Sequence, residues 1–312
     1  MITFILSDAF DYEDYLLDDA GPRFAAMYGW RTERLSNCSF QPHQIYVVDW
    51  YLSDAEFATI QSQALKHPSA IFSIHVVDPW PHIRGTAAYR YLTQHHSSPN
   101  ALLSGPYVPT ENIAHIYARN PRFVFTPYLY EPERERNIDH LRRKSTILLS
   151  GNIGFPDYPV RHAISVNSKI NPLFWGSIER LKHSGYSMGN LQHAAVREQY
   201  IDQLASHKFA VVCSSRLRLE FLKYRELAYA GCVPVGDLPG TLMDCPAEAF
   251  VVWRRNFMLT LAAIRNSETE RQAHAFRTFM SKTRDRGHWR SRVSKQFHEH
   301  LPSLSSRNGA SE

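Results

Sequence analysis

The chain has 312 residues, 44% of them hydrophobic and 21% charged, with a net charge of +5. That composition is too apolar for a disordered chain, and the length suits two domains of about 100–200 residues each. No run approaches the ~20 uninterrupted apolar residues of a membrane span.

The opening Met1-Ile-Thr-Phe-Ile-Leu-Ser-Asp8 lacks the basic stretch and small-residue cleavage site of an export signal. It reads as a first β-strand. Cysteines at 38, 213, 232 and 245 have neither zinc-knuckle nor redox spacing, and the 16 histidines form no HExxH motif. A cytoplasmic protein without a dedicated metal site is expected.

In the first half, strands are predicted at Thr3–Ser7, Gln44–Asp49, Ala70–Val77 and Phe123–Thr126. Between the second and third, Ser53 followed by Glu56 forms a capping box, and Phe57, Ile60 and Ala64 keep one apolar face. Strand, capped helix, strand is the unit of a parallel sheet. The charged run from Tyr130 to Lys144 reads as a linker.

A second alternation opens with the strand Ser145–Ser150 and the loop Gly151-Asn-Ile-Gly154. Helical stretches are predicted around 160–167 and 172–183, then the strand Lys208–Cys213. A helix from about Leu217 to Ala230 follows, then the strand Cys232–Gly236, and the rest from about Arg255 is helical. The expected fold is α/β, with two Rossmann-like domains over 1–140 and 145–255 and a helical basic tail over 256–312.

Charge is uneven. Asp8 to Asp19 holds six acids and no base, whereas Arg254 to Lys295 holds eleven Lys/Arg against three Asp/Glu. The basic end reads either as a solvated helix face or as a surface for nucleic acid or another phosphate-bearing partner.

The chemistry concentrates between Phe209 and Val235. In an open parallel sheet, ligands bind beyond the carboxyl ends of the strands, which here is the Ser214–Arg218 loop. Free helix N–H groups, the hydroxyls of Ser214 and Ser215, and Arg216 or Arg218 would meet an anion such as a diphosphate there. Lys223 and Glu226 project about 60° apart on one helix. A carboxylate so placed can accept hydrogen bonds from a ribose diol while the ammonium faces phosphate. Gly231 closes the helix.

Lys223-Tyr-Arg-Glu-Leu-Ala-Tyr-Ala-Gly-Cys-Val-Pro-Val235 resembles the nucleotide-sugar-binding segment of GT-B glycosyltransferases of a group-1-like bacterial subset. Leu148–Asn152 with Tyr158–Arg161, His183-Ser-Gly-Tyr186 and Tyr200–Ala210 are similar to other segments of that subset, so the resemblance covers roughly 145–240. It implies a metal-independent glycosyltransferase with a nucleotide sugar as co-substrate and no other cofactor. Glu226 would hold the donor ribose, Lys223 with Arg216 or Arg218 the phosphates, and Gly151, Asn152, Arg161 and Tyr186 would line the donor cleft.

Two departures stand out. Many retaining members carry a second Glu eight residues before the ribose-binding one, where this chain has Arg218; and Ser184 replaces a proline in the His-x-Gly-Tyr motif. The acceptor, whether a glycan, a small molecule or nucleic acid, would belong to the first domain.

An inverting reaction needs a base, and Asp78, before Pro79 at a strand end, is the leading candidate ahead of Asp8, Asp49 and His75. His75 reads more readily as a packed core histidine. Trp50, Trp80, Tyr128 and Tyr130 could stack on a sugar or base, and Arg119 and Arg122 could bind an acidic acceptor. The competing reading is a nucleic-acid-binding protein or DNA-modifying glycosyltransferase that uses the basic C-terminal region.

Overall fold

The computed structural model describes residues 1–13, 15, 21–77, 86–94, 99–108, 122–172, 176–181, 193–254 and 257–301. They fall into two compact units, one of residues 1–12, 18–129 and 286–312, the other of 13–17 and 130–285.

In the first unit the order is β1 (Ile2–Leu6), α1 (Gly21–Tyr28), β2 (Arg31–Arg34), β3 (Ile45–Val48), α2 (Asp54–Lys66), β4 (Ile71–His75), α3 (Ala87–Gln94), β5 (Ala101–Gly105) and β6 (Phe123–Phe125). The six strands are parallel, in the order β2-β1-β3-β4-β5-β6. Strands β1, β3, β4 and β5 are buried along their whole length, as helix-covered parallel strands must be.

The capping box forms as the sequence requires. The Ser53 hydroxyl accepts from the Glu56 N–H, and the Glu56 carboxylate accepts from the Ser53 N–H at 2.6 Å. Two strands escaped the sequence reading. The segment Arg-Thr-Glu-Arg of β2 is polar because it is a half-exposed edge, and β5, Ala-Leu-Leu-Ser-Gly, carries no β-branched or aromatic residue.

The second unit contains β7 (Lys144–Ser150), α4 (Pro159–Ile170), β8 (Ile178–Leu181), α5 (His193–Ala205), β9 (His207–Val211), α6 (Leu222–Ala230), β10 (Val233–Gly236), β11 (Val251–Val252), α7 (Phe257–Arg265) and α8 (Thr269–Thr283). Its parallel sheet runs β11-β10-β9-β7-β8. Leu148, Ala210 and Val212 pack into one core with Tyr224 and Leu227, while Ile147, Leu149, Phe209 and Val211 pack into another with Ile164. Period-two side chains thus fill both faces of the sheet.

Residues 176–181 hold a strand rather than the helix expected around 172–183. The charged run 130–144 begins where the two units divide and is bonded into the second. Arg134 and Arg136 pair with Glu198 of α5, Arg136 also with Asp202, and the Arg143 guanidinium donates to the Gly231 carbonyl at 2.8 Å.

The chain from 256 onward divides between the units. Helix α8 buries Ala273, Phe276 and Met280 in the second. A final helix, α9 (Arg286–Glu299), joins the first, where Trp289 meets Phe125 and Phe297 meets Trp30 edge-on. No helix among the described residues is long and apolar enough to cross a membrane.

Gly231 ends α6 at φ 67°, and a Cβ there would stand 2.5 Å from Ile138 Cγ1. Gly231→Ala is therefore expected to destabilise the protein by roughly 1–3 kcal/mol. A chemical-denaturation curve checks this; an unchanged midpoint would contradict the packing described.

Candidate functional site

The order in which strands are added reverses at one point in each parallel sheet, between β1 and β3 in the first unit and between β7 and β9 in the second. The crevice outside the carboxyl ends at such a point is where open α/β sheets bind ligands. In the second unit that point is formed by Ser150, Gly151 and the chain leaving β9 at Val211.

Three elements bring polar groups to Gly151, which has φ 84°. A Cβ on it would lie 3.1 Å from the nearer Arg161 guanidinium nitrogen and 3.6 Å from Lys223 Nζ. A glycine is therefore required both by the backbone and by the two cations. Arg161, buried in the first turn of α4, donates to the Asn152 carbonyl at 3.2 Å and lies over the Tyr158 ring. Asn152 itself shapes the loop by accepting from the Gly154 N–H at 2.8 Å.

Lys223, in the first turn of α6, donates to Ser150 Oγ at 2.7 Å and to the Tyr200 hydroxyl. Ser150 Oγ and the Tyr200 hydroxyl are themselves 2.9 Å apart. Among the described residues, no carboxylate reaches ion-pair distance of Arg161 or Lys223. Desolvation, then the Arg161 charge, lowers the Lys223 ammonium to about 7, and Glu226 opposes them. Two neighbouring basic side chains without an ion-paired carboxylate, at the N-terminus of a helix, have the chemistry to meet an anion.

The structure thus brings Gly151, Asn152, Arg161 and Lys223 together, with half-buried Glu226 one turn along α6. The loop after β9 behaves differently from expectation. Helix α6 begins only at Leu222, because Ser215 at φ 62° and Arg218 at φ 61° take left-handed conformations that no helix contains.

Ser214 and Ser215 consequently do not stand at the helix N-terminus. The Ser214 N–H and hydroxyl both donate to the Asp237 carboxylate, and Ser215 Oγ accepts from the Leu217 N–H at 3.1 Å. Arg216 pairs with Asp157 at 3.0 Å, while Arg218 is exposed. Tyr200 and Ser150 were missed as site residues. They meet Lys223 from 23 and 73 positions away, and no local pattern announces such a contact.

No known family profile and no curated protein matches the chain by sequence. Solved structures do. A trehalose-6-phosphate synthase superposes with a TM-score of 0.55 at 13% identity, over 85% of this chain and 74% of its own. An alpha-glucosyltransferase solved with UDP and a 13-mer DNA containing an HMU base gives 0.57 at 9% identity, over 95% and 99%. A UDP-forming alpha,alpha-trehalose-phosphate synthase from Burkholderia xenovorans, solved with glucose-6-phosphate, gives 0.52 at 11% identity, over 83% and 74%.

The chain has the GT-B fold. Its two parallel sheets are the two Rossmann-like halves that the residues around 145–240 led one to expect.

The first half's sheet end is heavily cross-bonded. The Glu56 carboxylate accepts from the Ser7 hydroxyl and the Asp8 N–H, Asp8 accepts from Ser36, and Arg34 donates to the Ser7 and Phe10 carbonyls. Asp8 is thus a cap. Asp49 is fully buried, accepting from the Trp50 N–H at 2.7 Å, and has no exposure through which to meet an acceptor.

His75 is a packed core histidine, its ring 4.0 Å from that of Phe24. Trp50, Tyr128 and Tyr130 are buried core aromatics rather than a stacking surface. Arg122 is half-buried and donates to the Ala101 carbonyl. Asp78, Trp80, Arg119 and Tyr186 lie outside the described residues.

Burial raises the Asp49 carboxyl to about 7, against hydrogen bonds from Tyr12 and Trp50 that lower it. An acid raised in the folded state holds its proton between about pH 4 and 7 while the unfolded chain has lost it. Stability contributed by this group therefore falls as pH rises through that window, by at most ~4 kcal/mol. Asp49→Asn is expected to flatten the fall. Parallel unfolding curves for the two proteins between pH 5 and 8 check it, and unchanged slopes would refute it.

Proposed function

We propose that the chain is a glycosyltransferase that binds a nucleotide-sugar donor in its second unit and transfers the sugar to an acceptor held by the first. The observation that carries this reading is the pair of basic side chains, Arg161 and Lys223, brought together around Gly151 at the N-terminus of α6 with no ion-paired carboxylate among the described residues. A diphosphate supplies the missing negative charge. As the sugar departs, charge grows on the leaving phosphate, and cations already held in place stabilise it without reorganising.

Glu226 accepts from the ribose hydroxyls, Arg218 adds a further cation from the exposed loop, and Asp78 takes the acceptor's proton. With two fixed cations at the phosphates, the reaction needs no divalent metal. Four free cysteines accord with a cytoplasmic setting.

A second reading, sugar addition to a base in nucleic acid, draws on the end-to-end likeness to the alpha-glucosyltransferase solved with DNA. Part of the basic C-terminal region is withdrawn from it, although Arg254, Arg265, Arg271 and Arg292 are exposed. Arg277 is tied to backbone carbonyls of Ala228, Arg136 and Tyr229, Arg284 is buried against Glu220, and Arg290 caps α1 through the Ala26 and Met27 carbonyls. Duplex DNA binding that weakens steeply between 50 and 200 mM salt would favour this second reading.

The deciding experiment is a thermal-shift panel of UDP, GDP, CMP, ADP, dTDP and NAD. Saturation at 100 times Kd adds about 2.7 kcal/mol of stability, a visible rise in Tm. Arg161→Ala and Glu226→Ala are each expected to weaken the nucleotide that binds by roughly 10- to 100-fold, and EDTA to leave the shift unchanged. A panel without any shift sinks the proposal.

A further inference from the structure

Lys223 is held in an unusual way for a residue that is to meet phosphate. Its Nζ, Ser150 Oγ and the Tyr200 hydroxyl form a closed triangle of hydrogen bonds, and Nζ also lies 4.9 Å over the Tyr200 ring. Arg161 of α4 approaches the same point through Gly151. Glu226 on α6 is the one carboxylate acting on Lys223, and it does so without an ion pair among the described residues.

The Tyr200 phenol stays protonated, pushed up by burial and by the Glu226 charge, and the Cys232 thiol is pushed up to about 12. Neither can take a proton from Lys223. A neutral amine has two donors and one acceptor, so it can accept from one hydroxyl of the triangle while donating to the other. An ammonium has three donors and no acceptor, and here it adds a second positive charge beside a guanidinium with nothing anionic bound.

Resting on the donor-site reading, we propose that Lys223, set beside the Arg161 guanidinium and held there by the positioning residues Tyr200 and Ser150, is an uncharged amine in the ligand-free protein, so that a nucleoside diphosphate binds with uptake of one proton from solvent. The proton goes to the Nζ lone pair. No other bond is made or broken. The arriving phosphates stabilise the ammonium against Arg161, and the hydroxyls of Ser150 and Tyr200 then both accept from it. The charge that the transfer step needs is created by the donor's arrival. In the empty site its energetic cost is avoided.

Proton uptake is read by isothermal titration calorimetry in buffers of different ionisation enthalpy. The probe is the nucleoside diphosphate that the thermal-shift panel identifies, with UDP tried first. At pH 8 the terminal phosphate of UDP is fully ionised, its second pKa being about 6, so any uptake belongs to the protein. Wild type is expected to take up close to one proton at pH 8, declining through a midpoint near pH 7 as pH falls.

Lys223→Arg is expected to keep binding within about tenfold while losing the uptake, since a guanidinium is always charged. Tyr200→Phe and Ser150→Ala each remove an oxygen that accepts from the ammonium, and each should move the midpoint down by half a pH unit or more. A purely structural role for these hydroxyls would change affinity or Tm and leave the midpoint in place. If one hydroxyl variant fails to fold, the other carries the same readout.

Zero uptake by a wild type that binds the nucleotide overturns the inference and leaves the donor site standing. So does uptake that survives Lys223→Arg, or a midpoint unmoved in every folded hydroxyl variant. Absence of binding by any nucleoside diphosphate overturns the donor-site reading, and this inference with it.

Discussion

The placement of Arg161 and Lys223 side by side without a carboxylate is the constraint around which the second unit is arranged. Two basic groups in a partly desolvated site cannot both be charged cheaply, and the Arg161 guanidinium disfavours the Lys223 ammonium. They persist because each sits on an element fixed from elsewhere. Helix α4 is anchored by Ile164 against the β7 face that carries Ile147 and Leu149. Helix α6 is anchored on the opposite face by Tyr224, Leu227 and Ala228. Between them β7 ends in Ser150 and Gly151. The core's stability offsets a local arrangement that is unfavourable until an anion binds.

The same reasoning explains where the remaining positive charge goes. A net charge of +5 with a basic C-terminal third invites a nucleic-acid surface. Arg277, Arg284 and Arg290 are engaged internally, while Arg254, Arg265, Arg271 and Arg292 are exposed. Arg277 satisfies three backbone carbonyls around the end of α6, and Arg290 satisfies two at the end of α1. A guanidinium has five donors in a planar fork, which suits it to the orphan carbonyls of helix termini. Charge counted along a sequence does not distinguish such capping from a solvated field. Geometry does.

What was legible in the sequence was what local pattern determines. Strand–helix alternation gave the two parallel sheets, the Ser53/Glu56 pair a helix start, and Gly231 a helix end. Gly151, Asn152, Arg161 and Lys223 were legible as a group through resemblance, and the structure brings them together. The rest depended on tertiary partners. The run 130–144 reads as solvated until Arg134 and Arg136 find Glu198, and Tyr200 is an ordinary helical tyrosine until Lys223 reaches it. The left-handed Ser215 and Arg218 were illegible for a different reason: neither residue type signals positive φ, so the helix was extended five residues too far back.

That loop also bears on how the proposed transfer would proceed. Where many retaining members of the resembled subset carry a second glutamate, this chain presents exposed Arg218. The nearest acid in sequence, Glu220, cannot substitute for it. Its carboxylate is buried, bound by the Arg284 guanidinium through two nitrogens and by Thr241 Oγ1 at 2.6 Å. Releasing it would strand a buried arginine, which typically costs about 3–5 kcal/mol. The loop after β9 therefore offers positive charge and no free carboxylate, so any acid–base work in the proposed transfer must come from residues outside it.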